Sequence, residues 1–377
     1  EYGSAQNWHD NVICVCQESS YRFMDKVFGE LVAMYEEADA PLTTLHVGGD
    51  EMPYGAWHKS PICQEFIDAQ PGLSSADDLP AYFFNRMNEI TSKYDLITGG
   101  WEDMTLVHNK DGHGATDINM AMLSQNIQPY VWNAIIGGGR DDMIYRLANA
   151  GFPVVMSNSS SFYFDMAYDR DPDEIGLSWS GYADTEKAFS TEPLDLFFGN
   201  PVDGSGNPLT YEYLESREEL TVSGLKNFLG IQAQLWSETI RSSSQMDYLI
   251  FPKLFGFAER AWAASGSWIS ENNSDDIDRA YEREWNIFAN TIGQKTMPLI
   301  NSWQKDLQYR IPEPGAKIEN GKLVANTSFP GLNIKYSVGE NTAPQDYLGP
   351  IEVENPELVQ IWSSSTSGRT SRKTGVK

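Results

Sequence analysis

Three observations predict an α/β fold of the barrel type followed by a small all-β module. β-prone runs alternate with amphipathic helical stretches, and Trp or acidic residues stand at the C-terminal ends of several of those runs. After residue 310 the texture changes to short β-prone pieces between Pro, Gly and Asn turns. The 377 residues are 41% hydrophobic and 12% aromatic, which is enough to bury a core in more than one module.

The elements follow in order. Phe23, Val27, Phe28, Leu31, Val32 and Tyr35 recur at three- and four-residue spacing and predict a helix over 21–38, with Ser19 and Ser20 as its cap. After Pro41, the run Leu42 to Val47 reads as a buried strand cut by Gly48-Gly49, with Asp50 and Glu51 just past its end. Pro80 opens a helix over 80–93 that leads to a strand ending at Trp101. Tyr130 to Asn133, a helix over 140–150 stopped by Gly151, and the strand 152–157 repeat the pattern. Residues 159–227, rich in Tyr, Ser, Asp, Gly and Pro, read as an elaborated loop. A fifth strand at 228–236 precedes helices over 246–263 and 276–291. Five strands fall short of the eight that close a (β/α)8 barrel. Residues 1–310 are therefore expected to be barrel, 311–362 an immunoglobulin-like β-sandwich, and 363–377 a disordered polar tail with Arg369, Arg372, Lys373 and Lys377.

The charge balance narrows the partners. Lys plus Arg number 27 against 53 Asp plus Glu, a net −26, and such a surface repels phosphate backbones and anionic lipid, so nucleic acid is not expected. No apolar run reaches the roughly 18–20 residues that span a bilayer. Cys14, Cys16 and Cys63 can form at most one disulfide and lack the Cys-x-x-Cys spacing of zinc or redox sites. The opening residues have neither the basic start nor the apolar middle of a secretory signal, and no initiator Met, so the chain is expected to begin inside a longer product.

Adjacent carboxylates at Asp50 and Glu51 are the sharpest chemical feature. Like charges this close raise one pKa, and a carboxyl kept protonated near neutrality is a general acid. On a regular strand neighbours point to opposite faces, but Gly48 and Gly49 can break that alternation and turn both groups to one pocket. Trp101, Trp132 and Trp236 fall at strand ends and Trp179 in the long loop, a placement that suits stacking on sugar rings better than core packing. Asn133, Asp165 and Glu238 could bind hydroxyls. His46 and Asp50 share a face only on a helix, so His46 is read as a hydrogen-bonding support rather than a metal ligand. Asp169-Arg-Asp171-Pro-Asp173 lacks the Gly and Glu positions of a calcium loop and reads as a solvated acidic loop. Gly137-Gly-Gly139 lacks a full phosphate-binding fingerprint and reads as a turn. No metal or cofactor is expected.

Leu45-His-Val-Gly-Gly-Asp50-Glu51 resembles the His-x-Gly-Gly-Asp-Glu signature of the family 20 glycoside hydrolases, the β-N-acetylhexosaminidases. Gly100-Trp101-Glu, Val131-Trp132-Asn, Tyr163-Phe-Asp165, Trp179 and Leu235-Trp236-Ser-Glu238 resemble that family's later pocket motifs in order, and Asn7 to Val12 with the C-terminal module resembles the bacterial chitobiase branch. The resemblance implies that the strands here are the fourth to eighth of the barrel, with the first three missing. It also implies a substrate-assisted retaining mechanism on β-linked N-acetylhexosaminide oligosaccharides. Asp50 would orient the acetamido N–H, Glu51 would act as acid then base, and Tyr163 would bond the acetamido oxygen. Trp101, Trp132 and Trp236 would wall the pocket, Trp179 would stack on the next sugar, and Asp165 with Glu238 would hold hydroxyls. The family's use of polymer-derived sugars implies a periplasmic or extracellular location. The competing expectations are a non-catalytic sugar-binding remnant, because an incomplete barrel exposes strand edges, and a metal-dependent lyase.

Overall fold

The computed structural model describes residues 2–107, 117–198, 202–203, 207–339 and 342–376. The chain divides into two compact units, Glu1–Ser160 with Pro193–Gln232, and Ser161–Glu192 with Ala233–Lys377.

The first unit is built on five parallel strands in the order β1-β2-β3-β4-β5. They are β1 (Thr44–His46), β2 (Ile97–Trp101), β3 (Ile127–Val131), β4 (Val154–Met156) and β5 (Phe228–Ile231), so the expected five-strand alternation is present. Sequential order with helical crossovers is the expected product of repeated β-α units. Before β1 runs α1 (Glu18–Glu37), whose Tyr21 and Phe28 pack with Met87 and Ile90 of α3 (Leu79–Ser92). The expected serine cap is absent: Gln17 is the N-cap, and Ser20 Oγ donates to Cys14 O at 2.6 Å instead. A helix not anticipated, α2 (Pro61–Ala69), lies between them, started by Ser60 accepting from the Cys63 N–H and by Pro61 in the first turn. Cys16 and Cys63 form a disulfide, and Cys14 is free. Helix α4 (Met143–Ala150) ends at Gly151, whose φ of 108° only glycine adopts without strain.

The second unit carries the segment 161–192, with α5 (Thr185–Ser190), and four later helices. The helix expected over 246–263 is two helices, α6 (Ser243–Ile250) and α7 (Lys253–Trp262), because Pro252 has no N–H to continue the ladder. Helix α8 (Ser274–Thr291), capped by Asn273 with Asp275 and Asp276 in its first turn, and α9 (Met297–Trp303) follow. The C-terminal strands make two antiparallel sheets, β10-β7-β6 and β12-β11-β8-β9. Here β6 is Gly315–Glu319, β7 Lys322–Asn326, β8 Asn333–Val338, β9 Gln345–Asp346, β10 Ile351–Glu352, β11 Val359–Ser364 and β12 Thr374–Gly375. Leu323, Val359 and Ile361 are fully buried between them.

Two expectations are corrected in this unit. The tail is ordered through Val376: β12 pairs with β11, Lys373 lies over the Trp362 ring, and Arg369 bonds Gln308 and Lys305. The acidic loop is not merely solvated. Arg310 bonds Asp169, Glu174 and Glu313, and Arg372 bonds Asp171, Glu174 and Glu313, so Arg310 and the tail's Arg372 together neutralise a fully buried Glu174 side chain. Basic residues that look like a solvated tail in one dimension meet acids 198 positions away.

Candidate active site

In the first unit the site begins where β1 ends. Gly48 (φ 79°), Gly49 (φ 100°) and Glu51 (φ 50°) all take left-handed backbone, so the alternation of the strand is broken as the glycines suggest. The bend is locked to its neighbour strand: Val47 N–H donates to Gly99 O at 2.8 Å and Trp101 N–H to Gly48 O at 3.0 Å. A side chain at Gly49 would strike the Phe84 ring at 2.4 Å. Asp50 and Glu51 are both exposed. Although the residue is accessible overall, partial desolvation of its carboxyl, with the charge of Asp103 adding, raises Asp50 above the usual carboxylate range. Gln6 Nε2 donates to Glu51 Oε2 at 2.8 Å.

His46 closes β1 and stands directly beside the glycine bend. Its Nδ1 accepts from Gly48 N–H at 3.2 Å, and its ring meets Trp101 and Tyr130 edge-on, each at 4.8 Å between centroids. Although the residue remains accessible, desolvation of its imidazole lowers its pKa to about 4, so it is neutral near pH 7. Trp101 is buried at the end of β2, and Trp132 follows β3 half-buried. Trp132 is fixed by a pair that sequence reasoning passed over. The fully buried Glu102 accepts from Trp132 N–H (3.1 Å) and Asn133 N–H (3.2 Å), and Trp132 Nε1 reaches Asp103 at 3.4 Å. Burial and the adjacent Asp103 push Glu102 upward, against the pull of Arg140. Its position directly after a strand end, like Glu51 after its glycines, was the available signal.

In the second unit Tyr163 and Asp165 are buried on one short segment. Tyr163 meets Trp179 and Trp236 edge-on at 6.0 and 5.9 Å between centroids, which brings three of the expected pocket residues together. Asp165 Oδ1 accepts from Trp236 N–H at 3.2 Å, while the buried Oδ2 has no hydrogen-bond partner among the described residues. Such an oxygen is suited to a ligand hydroxyl. Burial, with Glu238 contributing charge, raises Asp165 to about 6. Glu238 and Trp179 are exposed. Lys253, also unforeseen, is fully buried and donates to Phe164 O and Met166 O at 2.8 and 2.5 Å, gripping the backbone on both sides of Asp165. Gly176 lies against the same stretch, where a Cβ would sit 2.6 Å from Ala167 N and 2.7 Å from Asp165 O.

The glycosyl hydrolase family 20 catalytic domain matches this chain over residues 2–265. The chain belongs to glycoside hydrolase family 20. The family's catalytic module is followed by a chitobiase/beta-hexosaminidase C-terminal domain, matched over residues 299–373, which reaches into the ordered tail. A beta-hexosaminidase of Vibrio vulnificus is 33% identical over all of this chain and 44% of its own length. The N,N'-diacetylchitobiase of Vibrio harveyi is 33% identical over 96% of this chain and 43% of itself. Among solved structures, the family 20 exo-β-N-acetylglucosaminidase of Vibrio harveyi in complex with N-acetylglucosamine aligns with a TM-score of 0.57 at 28% identity, covering 82% of this chain and 38% of that one. The chain thus spans less than half the length of these relatives.

Proposed function

We propose that this chain carries the reacting carboxylates and sugar-holding side chains of an exo-acting β-N-acetylhexosaminidase that releases terminal β-linked GlcNAc from chitobiose-like substrates. The observation that carries the reading is the glycine bend after β1, which sets two adjacent carboxylates at the C-terminal end of a parallel strand beside Trp101. On this reading the five strands are the fourth to eighth of a (β/α)8 barrel. The substrate supplies the nucleophile, an exception to the two-carboxylate scheme. Its acetamido oxygen attacks the anomeric carbon, the glycosidic bond breaks, and an oxazolinium forms. Asp50 accepts the acetamido N–H and stabilises the positive charge that develops there. Glu51 protonates the leaving oxygen, then takes a proton from the incoming water. Tyr163 bonds the acetamido oxygen, Trp101, Trp132 and Trp236 wall the pocket, and Trp179 stacks on the following sugar. Asp165 and Glu238 hold ring hydroxyls, for which the unpartnered Oδ2 of Asp165 is suited. The Cys16–Cys63 disulfide supports a periplasmic or extracellular location.

Aryl β-GlcNAc and aryl β-glucoside, assayed side by side on a protein containing this segment, test the mechanism. Hydrolysis confined to the acetamido substrate is expected, and equal rates on both overturn substrate assistance. Because the chain covers 44% of the Vibrio vulnificus relative and 43% of the Vibrio harveyi one, a sugar-binding role without turnover is the second reading. Chitobiose binding without hydrolysis by the 377 residues alone would favour it.

A further inference from the structure

The three cysteines, the full complement of the chain, converge on one place. Their sulfurs all lie within 4.8 Å of one another, although only Cys16 and Cys63 are bonded. Cys63 is fully buried and Cys16 nearly so, while Cys14 is half-buried against the same apolar cluster of Val15, Trp57 and Leu79. Cys14 is not there by slack chain. Trp57 Nε1 donates to Ile13 O at 3.1 Å, Ser20 Oγ to Cys14 O at 2.6 Å, and Tyr21 Oη to Val15 O at 2.6 Å. Three consecutive carbonyls are therefore held, and the third sulfur is fixed beside the bridge.

We propose that Cys14 is an exchange site for this disulfide, so that the bridge passes between Cys16–Cys63 and Cys14–Cys63 pairings. The Cys14 thiolate attacks Cys63 Sγ, a Cys14–Cys63 bond forms as the Cys16–Cys63 bond breaks, and the electron pair leaves on Cys16 Sγ. The proton that Cys14 gives to solvent is replaced by one taken up at Cys16, so no oxidant or reductant is consumed. Attack at Cys16 would instead close a ring over a single residue, Val15, which disulfide geometry disfavours. Cys16, whose sulfur departs, stands two residues before α1. Partial positive charge at helix N-termini favours a departing thiolate. Both pairings tie the N-terminal segment to α2, but the anchor moves by two residues. The loop it closes contains Asp50 and Glu51 in either pairing.

The test needs no reductant. The whole chain is held at about pH 9, above the ordinary thiol pKa of about 8.5, then pulse-labelled with N-ethylmaleimide near neutrality and digested without reduction. Fragment sequencing of the peptide that holds Cys14 and Cys16 is expected to find label on both, with Cys14 linked to Cys63 in the molecules labelled at Cys16. Label confined to Cys14 overturns the proposal. In Cys16→Ser, a Cys14–Cys63 disulfide is expected, with no free thiol. Two free thiols in that folded variant also overturn it.

Discussion

The two sets of candidate site residues are held by opposite means. The acid pair is exposed, and its placement comes from backbone: three left-handed residues at Gly48, Gly49 and Glu51, stitched to β2 by main-chain bonds. Tyr163 and Asp165 are buried, and their segment is gripped by a buried lysine and by a glycine with no room for a methyl group. Groups that move protons can stay in contact with solvent if the chain aims them. On the proposed reading, the buried Asp165 would hold a hydroxyl in a drier setting, in which a hydrogen bond is worth more. The acid set should therefore tolerate side-chain change structurally while losing chemistry, and the buried set should lose stability with it.

The largest expected effect is chemical. Glu51→Gln should lower kcat on an aryl β-GlcNAc by about 10²–10⁴, and Asp50→Asn by about 10²–10³. Thermal melts should be nearly unchanged because both side chains are exposed; a matching fall in Tm would break the contrast. Next come the glycines. Gly176→Ala should cost about 3 kcal/mol in urea unfolding, since the new Cβ meets backbone at 2.6–2.8 Å. Gly48→Ala, whose Cβ meets nothing nearer than Asp50 Oδ1 at 4.0 Å, should cost only about 1 kcal/mol from its positive φ. Lys253→Met should remove roughly 2 kcal/mol by orphaning two buried carbonyls. If it proves neutral, the grip on Asp165 is not structural.

A further contrast is a pair of opposed titrations. His46 falls to about 4 in the fold from 6.5, so the unfolded chain takes the proton first. Its contribution to stability is whole above pH 6.5 and is lost as pH falls through 4. Asp165 rises to about 6 from 3.8, so the folded chain takes the proton first. Its contribution is whole below pH 3.8 and is lost as pH rises through 6. Urea midpoints across this window should change in opposite senses for His46→Asn and Asp165→Asn. Changes of the same sign would show that the two sets are not distinguished by their titration.

Much of the fold is legible in one dimension because it is local. A β-prone run closed by Gly48-Gly49, a Trp at a strand end, and Gly151 after an apolar helical face each declare their geometry within a few residues. The Asp50-Glu51 pair is visible because its glycines sit beside it. The hidden residues are defined by distant partners. Glu102 reads as an ordinary acid until Trp132 and Asn133 place their N–H groups on it. Lys253 reads as a helix-surface lysine until the carbonyls of Phe164 and Met166, 89 and 87 positions away, enclose it. Helix α2 escapes notice because the Ser60-Pro61 start signal is short, and its packing against Val15 and Cys16 comes from another part of the chain.

The salt-bridged tail has a consequence for how this architecture can be cut and joined. A boundary drawn at 362, where the composition turns polar, looks like a safe place to trim or to graft another module. Removing residues 363–377 would take away Arg372 and leave Glu174, with its side chain wholly enclosed, to the charge of Arg310 and the hydroxyl of Tyr248. Glu174 lies within the same 161–192 segment as Tyr163 and Asp165. The C-terminal domain is therefore not an interchangeable cassette: its final stretch brings a counter-charge to the segment that carries Tyr163 and Asp165.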